Sequence, residues 1–443
     1  MALLRVTLGT CPTCLAAVPA SLVLEDGRVH LIKHCPEHGD TSTLLAQDGS
    51  AWAELAAFYE EMMAPLPGID DKNLNLPLTD RCNLDCPICF TRSGPCRGDE
   101  REPSPGDVAR LLAGVTGAKV QLYGGEPTVR NDLPDIVTAV IASGNVPVLA
   151  TNGLLLAEEG VLDELRTAGL GEVHIQLDGL SGQGDKTLRG RDISAVKRKA
   201  LDALEKAGMP TGLECTLARD VNDKAVTELL TYALDHPFVR GVFFRSYGHL
   251  GIAGLGPMAR LRVEEVVSMV SDASGGRITP SGWTTVQKAL YAAFNLLGVP
   301  SCLYNQFYPV LRRPDDTWTA AEELVDVERL DDALERFRVT RHRWRWGAAA
   351  KLSTEVLPLV QEPGLVRTLL SAAVRPLVGV GPLDTLATPG LLVVGAGSLC
   401  DPDTFDLTYS LRCDAGLVVR DGEPWLTQSL DTLREERRHA GGQ

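Results

Sequence analysis

Positive charge is the first thing this chain is short of. Lysine and arginine number 43 against 58 aspartates and glutamates, a net charge of −15 over 443 residues. Phosphate contacts need a basic face, so a nucleic-acid partner is not expected. Aromatic residues are scarce as well, at 5%. Long apolar runs are missing: the most hydrophobic late stretch, Leu377 to Ala396, is interrupted by Asp384, Pro389 and several glycines. No transmembrane segment is therefore expected. The N-terminus has no basic region leading into an apolar core and cleavage site, so no secretion signal is expected and the cytoplasm is the expected compartment. No solenoid-type repeat is present. What remains, 44% hydrophobic and 23% charged residues, is an ordinary globular composition with material for two to four domains.

Cysteine is the conspicuous presence. The eleven cysteines are an odd number and fall mostly in tight clusters, a metal-type pattern rather than a disulfide framework. Cys11-Pro12-Thr13-Cys14 and Cys35-Pro36-Glu37-His38 bracket a predicted hairpin, Ala20–Leu24 and Val29–Ile32, that turns at Glu25-Asp26-Gly27. Two such knuckles, Cys11/Cys14 and Cys35/His38, supply four ligands for tetrahedral zinc or a single iron. The site would be closed and would fold a segment too small to support itself; four unbound residues in a small β module are the plainer reading. His34 is an alternative ligand, but the spacing of His38 repeats that of the first knuckle. Ser50 to Met63 reads as an amphipathic helix capped by Ser50.

The second cluster is C-x3-C-x2-C, formed by Cys82, Cys86 and Cys89 directly after an apolar strand-like segment. Three thiolates on one loop hold three irons of a cubane cluster and leave the fourth open for chemistry. Beyond it, strand-like and helix-like segments alternate. The predicted strands are Asn75–Thr79, Val120–Tyr123, Val146–Ala150, Val173–Leu177, Thr211–Leu217 and Gly241–Ser246. Six strand–helix units with short connections predict a parallel sheet and fit an incomplete barrel, with reactive groups at the C-terminal strand ends. Polar groups fall there. Gly124-Gly125-Glu126-Pro127 follows the second strand; its paired glycines permit close ligand approach and Glu126 can accept from an ammonium group. Asn152 follows the third strand, and Gln176 and Asp178 close the fourth; both segments also suit ordinary turns. Cys215, mid-strand, reads as a buried core residue.

The loop CNLDCPICF together with GGEP resembles the signature of the radical S-adenosylmethionine (SAM) superfamily. The resemblance implies a [4Fe-4S] cluster on Cys82, Cys86 and Cys89, with SAM chelating the open iron. One electron would cleave SAM to a 5′-deoxyadenosyl radical, which removes a substrate hydrogen; flavodoxin or ferredoxin would supply the electron. It further implies that GGEP meets the cofactor's amino group, that Gln176 and Asp178 touch its ribose, and that Arg189, among Lys186, Arg189 and Arg191, pairs with its carboxylate. Ile88 stands where the superfamily often has an aromatic residue near adenine.

Residues 276–443 read as irregular and mainly helical. The whole chain resembles the branch that contains tetraether synthase and the methylene-pterin-dependent radical methylases. There the late cysteines hold auxiliary iron–sulfur clusters, which implies one on Cys302, Cys400 and Cys413. The further cysteine of that pattern is missing from Asp421–Leu426 here, so one ligand is absent. Arg338–Trp346 concentrates cations and tryptophans and reads as a solvated helix face.

The expected fold class is α/β: a partial (β/α)6 barrel core at 71–275, a small β-rich metal-binding module at 1–70, and a cluster-binding region at 276–443. The expected function is hydrogen abstraction followed by carbon–carbon bond formation, by alkylation, methylation or coupling, on a small-molecule or lipid-like substrate. Oxidation or epimerisation of a peptide or metabolite is the rival enzymatic reading, and a non-catalytic metal scaffold the rival of another class.

Overall fold

The structure, a computed structural model, describes residues 1–63, 73–95, 102–256, 259–313, 315, 317–341, 345–360, 390–398, 400–410, 417–420, 423–427, 433 and 437, with backbone only at 345–346, 417–420 and 423–427. Cys96, Cys413 and most of Asp421–Leu426 and of the C-terminal tail lie outside these or without described side chains.

Four strands open the chain: β1 (Ala2–Thr10), β2 (Ala17–Glu25), β3 (Arg28–Cys35) and β4 (Gly39–Ala46). They pair in chain order as an antiparallel meander. Asp26 and Gly27 both adopt left-handed backbone, φ +48° and +74°, the geometry a two-residue hairpin turn requires. Alternate residues of β2 and β3, among them Leu22, Val29 and Leu31, pack into a core shared with α1 (Gly49–Met63). The cap of α1 is Asp48 rather than Ser50, because its carboxylate accepts from the Ala51 amide at 3.0 Å.

The central region contains β5 (Asn73–Pro77), a short β6 (Ile88–Cys89), α2 (Pro105–Leu111), β7 (Lys119–Tyr123), α3 (Leu133–Ala142), β8 (Val146–Thr151), α4 (Val161–Thr167) and β9 (Glu172–Gln176). It continues with α5 (Gln183–Leu188), α6 (Ser194–Lys206), β10 (Thr211–Leu217), α7 (Ala225–Asp235), β11 (Val239–Ser246), a short β12 (Ile252–Ala253) and α8 (Val263–Ala273). Strands β5, β7, β8, β9, β10 and β11 are neighbours in that order and all parallel, as the strand–helix repeat predicts. β6 and β12 form a separate antiparallel pair beside the cysteine loop.

Residues after 275 supply α9 (Pro280–Leu297), β13 (Asn305–Arg312), β14 (Trp318–Thr319), α10 (Ala321–Leu324), α11 (Val327–Thr340), α12 (Arg345–Val356), β15 (Leu391–Ser398), β16 (Leu417–Arg420) and β17 (Glu423–Thr427). The expectation of a mainly helical region is corrected here. β15 is a seventh parallel strand, seated against β11, and β13 pairs antiparallel on its far side. At the other edge β16 runs parallel to β5. Seven of the eight β15 residues are buried, so the segment has none of the alternation that reveals a half-exposed strand.

The sheet has two unlike faces. Leu122, Ile175, Leu213, Cys215, Phe244 and Val394 belong to the face packed beneath the helices in the main core, where Cys215 is the small core residue expected. Glu172, His174, Gln176, Glu214, Thr216, Arg245 and Asn305 stand at the alternate positions, and most of them are half-exposed. The N-terminal meander docks far from its own place in sequence. Asp406 accepts from Thr7 at 2.7 Å and pairs with Arg5. The fully buried Lys33 donates to the carbonyls of Thr10 and Pro402. No helix of the described residues is long and apolar enough to cross a membrane.

Candidate metal centres and cofactor site

Cys11, Cys14, Cys35 and His38 bring one ligand atom each to within 4.8 Å of one another. The Cys14 and Cys35 sulfurs lie 3.9 Å apart, and His38 Nδ1 is 3.5 Å from Cys35 and 3.8 Å from Cys11. A zinc tetrahedron with Zn–S bonds of about 2.3 Å has S···S edges of about 3.8 Å, so this donor set fits zinc. Burial pushes the Cys11 thiol up, but amides of Cys14 and Thr13 and the neighbouring Cys14 and Cys35 outweigh it and hold the thiol at about 6. His34, the alternative ligand, is turned outward to Asp40 at 3.0 Å.

Cys82, Cys86 and Cys89 are free, half-buried thiols on the loop after β5. Among the described residues their sulfurs are not gathered as closely as those of the N-terminal site. A loop of three separated thiols suits a multi-iron cluster better than one ion. Burial, reinforced by Glu126 and the two other thiols, pushes Cys82 up to about 12 despite the Leu84 amide that donates to it. Burial also raises Cys86, against the opposing pull of Arg189. Cys89 is 3.2 Å from the Thr91 hydroxyl.

The loop is held in place by GGEP. The Gly125 amide donates to Thr79 O at 2.6 Å and the Glu126 amide to Arg81 O at 2.9 Å, continuing the β5–β7 pairing up to Cys82. A Cβ on Gly124 or Gly125 would collide with the backbone of Thr79 and Arg81. The glycines thus first admit the leader of the cysteine loop. Gly124, at φ +135°, occupies backbone that side chains avoid. Glu126 also differs from its expected role. It is fully buried, and its carboxylate accepts from the Thr128 amide and hydroxyl, the Thr151 hydroxyl and the Asn152 amide. Its side chain ties the β7 turn to the β8 turn, and only the backbone of Gly124–Pro127 remains for a ligand.

Asn152 reaches the loop itself, donating to Asn83 Oδ1 at 2.7 Å with Cys82 Sγ 3.9 Å away. Gln176 donates to Asp178 at 2.6 Å and accepts from the buried Lys197 at 2.8 Å. Asp178, expected at a ribose, is fully buried and held by Arg189 at 2.7 and 3.1 Å and by the Thr216 amide at 3.0 Å. Arg189 also donates to Thr216, and its charge acts on the Cys86 thiol. Two of the expected cofactor contacts are therefore partners of each other, and Arg189 joins the fourth and fifth parallel strands to the cysteine loop. Sequence reasoning missed Arg81 and Glu102, which pair at 2.7 Å beside Thr79, and the buried Arg130, which donates to Leu78 O at 2.7 Å. Only the Arg130-x-Asp132 spacing after GGEP hinted at the latter.

Cys302 is buried and Cys400 partly so, both at the second core. Asn305 pairs with Gly397, so Cys302 and Cys400 both lie just beyond the paired ends of β13 and β15. Cys413, the third expected ligand, lies outside the described residues.

A parallel sheet that carries a three-cysteine loop tied to GGEP at its C-terminal edge defines a class, the radical SAM enzymes. Residues 76–233 match the model of the Radical SAM superfamily, so the chain carries a radical SAM domain. Such a domain implies a [4Fe-4S] cluster and SAM. Residues 3–47 match the HMPTM N-terminal zinc ribbon domain. The chain is 30% identical over 301 residues to 7,8-dihydro-6-hydroxymethylpterin dimethyltransferase from Methanocaldococcus jannaschii, covering 62% of this chain and 59% of that one. It is 34% identical over 164 residues to the probable GTP 3′,8-cyclase of Pyrococcus abyssi, covering 36% and 52%. The chain thus spans little more than half the length of these relatives. Streptococcus suis SuiB bound to its precursor peptide SuiA is a looser likeness, with a TM-score of 0.41, 16% identity and coverage of 53% and 50%.

Proposed function

We propose that this enzyme abstracts a hydrogen atom from a small substrate and forms a carbon–carbon bond on it, by methylation or another alkylation. The observation that carries the reading is the loop of Cys82, Cys86 and Cys89, three free thiols tied to the GGEP backbone. When bound there, the cluster and SAM supply an electron and a 5′-deoxyadenosyl radical. The chain's own residues do the positioning. Asn152 braces the loop at Asn83, Arg189 sets its charge between Asp178 and Cys86, and Glu126 fixes the turn whose amides and carbonyls face the ligand. Cys11, Cys14, Cys35 and His38 would hold zinc. Cys302, Cys400 and Cys413 would hold an auxiliary cluster short of one thiolate.

In this reading the six parallel strands curve into a partial barrel, since helices cover only one face of the sheet. Units at 1–70, 71–275 and 276–443 divide the work, and flavodoxin or ferredoxin in the cytoplasm delivers the electron. The names of the two relatives point to a pterin and to GTP, and pterin and guanine share a 2-amino-4-oxopyrimidine ring. We take that ring as the substrate class. The test is anaerobic reconstitution, reduction and chromatography for 5′-deoxyadenosine. Alanine at Cys82, Cys86 and Cys89 should bring that product to background; turnover that persists in the triple variant sinks the reading. A product heavier by one carbon unit supports alkylation, and a loss of two hydrogens supports oxidation instead.

A further inference from the structure

We infer that Glu214 and Arg245, on the helix-free face of the sheet, form the recognition edge for the 2-amino-4-oxopyrimidine ring of the substrate. This inference rests on the substrate class proposed above, and assigns it a place. Glu214 lies on β10 and Arg245 on the adjacent β11. Thr216, the register partner of Arg245, is also the residue that Arg189 grips. Neighbouring strands are about 4.8 Å apart, so Glu214 stands one strand, and Arg245 two, from the strand that ends at the Asp178–Arg189 ion pair.

The pair is built to be opened. Asp178 and Arg189 close on each other at 2.7 Å with Asp178 fully buried. Glu214 and Arg245 stand 3.5 Å apart, with side chains 27% and 30% exposed. That separation is too long for a strong hydrogen bond, so both groups keep capacity. Only one oxygen of Glu214 is firmly taken, by His174 Nδ1 at 2.9 Å, and His174 is held from its other side by Glu172 at 2.8 Å. An ionised carboxylate has about four acceptor sites, and its second oxygen faces Arg245. Arg245 is aimed by Asn305 Oδ1 at 2.6 Å.

The neighbouring strand makes room for the pair. On β15, Gly395 and Gly397 stand opposite Phe243 and Arg245, and a Cβ at either would crowd those side chains. Phe243 is buried beside them, stacked on His174 at 5.8 Å, beneath the Arg245 guanidinium at 5.6 Å and edge-to-face with Phe307 at 6.3 Å, so it backs the pair. A carboxylate beside a guanidinium matches the edge of a flat ring that has two adjacent donors, the ring N–H and the 2-amino group, and one acceptor, the 4-oxo group. The donors suit Glu214 and the oxo group suits Arg245.

The test uses the full chain, reconstituted anaerobically with cluster and SAM. The probes are 6-hydroxymethylpterin and 6-hydroxymethyllumazine, in which an oxo group replaces the 2-amino group, and binding is read by ligand fluorescence. The wild type should prefer the pterin by about 10- to 100-fold, the range for a hydrogen bond to a charged group. Glu214→Gln should weaken the pterin by a similar factor and abolish the preference. Arg245→Met should weaken both probes together. A purely structural brace predicts no dependence on the amino group. Equal binding of the two probes by the wild type overturns the assignment without any variant, as does an undiminished preference in folded Glu214→Gln. Formation of 5′-deoxyadenosine from SAM alone tests the radical reading separately, so failure of one is distinguishable from failure of the other.

Discussion

The two cysteine sites differ in how finished they are before metal arrives. At the N-terminal site four donors already stand at tetrahedral spacing, and the Cys11 thiol is held at about 6, so it is ionised at neutral pH. At the central loop the three sulfurs are more widely set, and burial holds Cys82 at about 12, protonated at neutral pH. A closed site stores its binding energy in the fold, whereas an open one keeps a position for a ligand. On the proposed function, the contrast separates a structural centre from a chemical one within one chain.

The largest effect that would break this comparison comes from the cysteines themselves. Cys35→Ala should release one equivalent of metal and destabilise the meander while iron on the central loop is retained. Cys89→Ala should remove 5′-deoxyadenosine formation while zinc is retained. Metal analysis on the two variants checks both. Their pH dependences should differ too. A ligand thiol must lose its proton, so loading of the central loop should keep rising with pH through the alkaline range, whereas at the N-terminal site Cys11 is ready from about pH 6 while the raised Cys14 thiol still gains from alkali.

Next in size is His174. Burial opposes its charge, but hydrogen bonds to Glu172 and Glu214 prevail and raise it to about 9. Because the folded value lies above the ordinary 6.5, the stabilisation is complete below pH 6.5 and is lost as pH climbs through 9. The span is worth about 3 kcal/mol. Urea unfolding between pH 6 and 9.5 should show that decline, and His174→Gln should flatten it.

Glu126→Gln ranks third. An amide offers one acceptor oxygen where four donors converge, so a cost of about 2 kcal/mol in denaturant unfolding is expected. If stability is unchanged, the strap between the two turns is not what orders the site. Smallest is Asp48→Ala, which removes the cap of α1 and should cost about 1 kcal/mol.

Much of this was legible in the sequence, for local reasons. The six strands and the two knuckles are set by periodicity and short spacing, and the strands appear within a few residues of their predicted bounds. What escaped depends on partners distant in the chain. β15 reads as an apolar run until β11 lies beside it, and the inward turn of Glu126 is decided by Thr151 and Asn152 on the next loop. Asp178 and Arg189 were singled out for a ligand separately; only the fold reveals that they hold each other.

The seat of the N-terminal meander has a consequence for synthesis. Arg5, Thr7 and Lys33 are made long before their partners Pro402 and Asp406. At 5–20 residues per second, the ribosome leaves the meander without its dock for on the order of tens of seconds. Its four metal donors lie within the first 38 residues, so an ion can close the ribbon long before the rest of the enzyme exists. The ribbon would then hold its shape before its dock exists, and would seat only once Pro402 and Asp406 have been made.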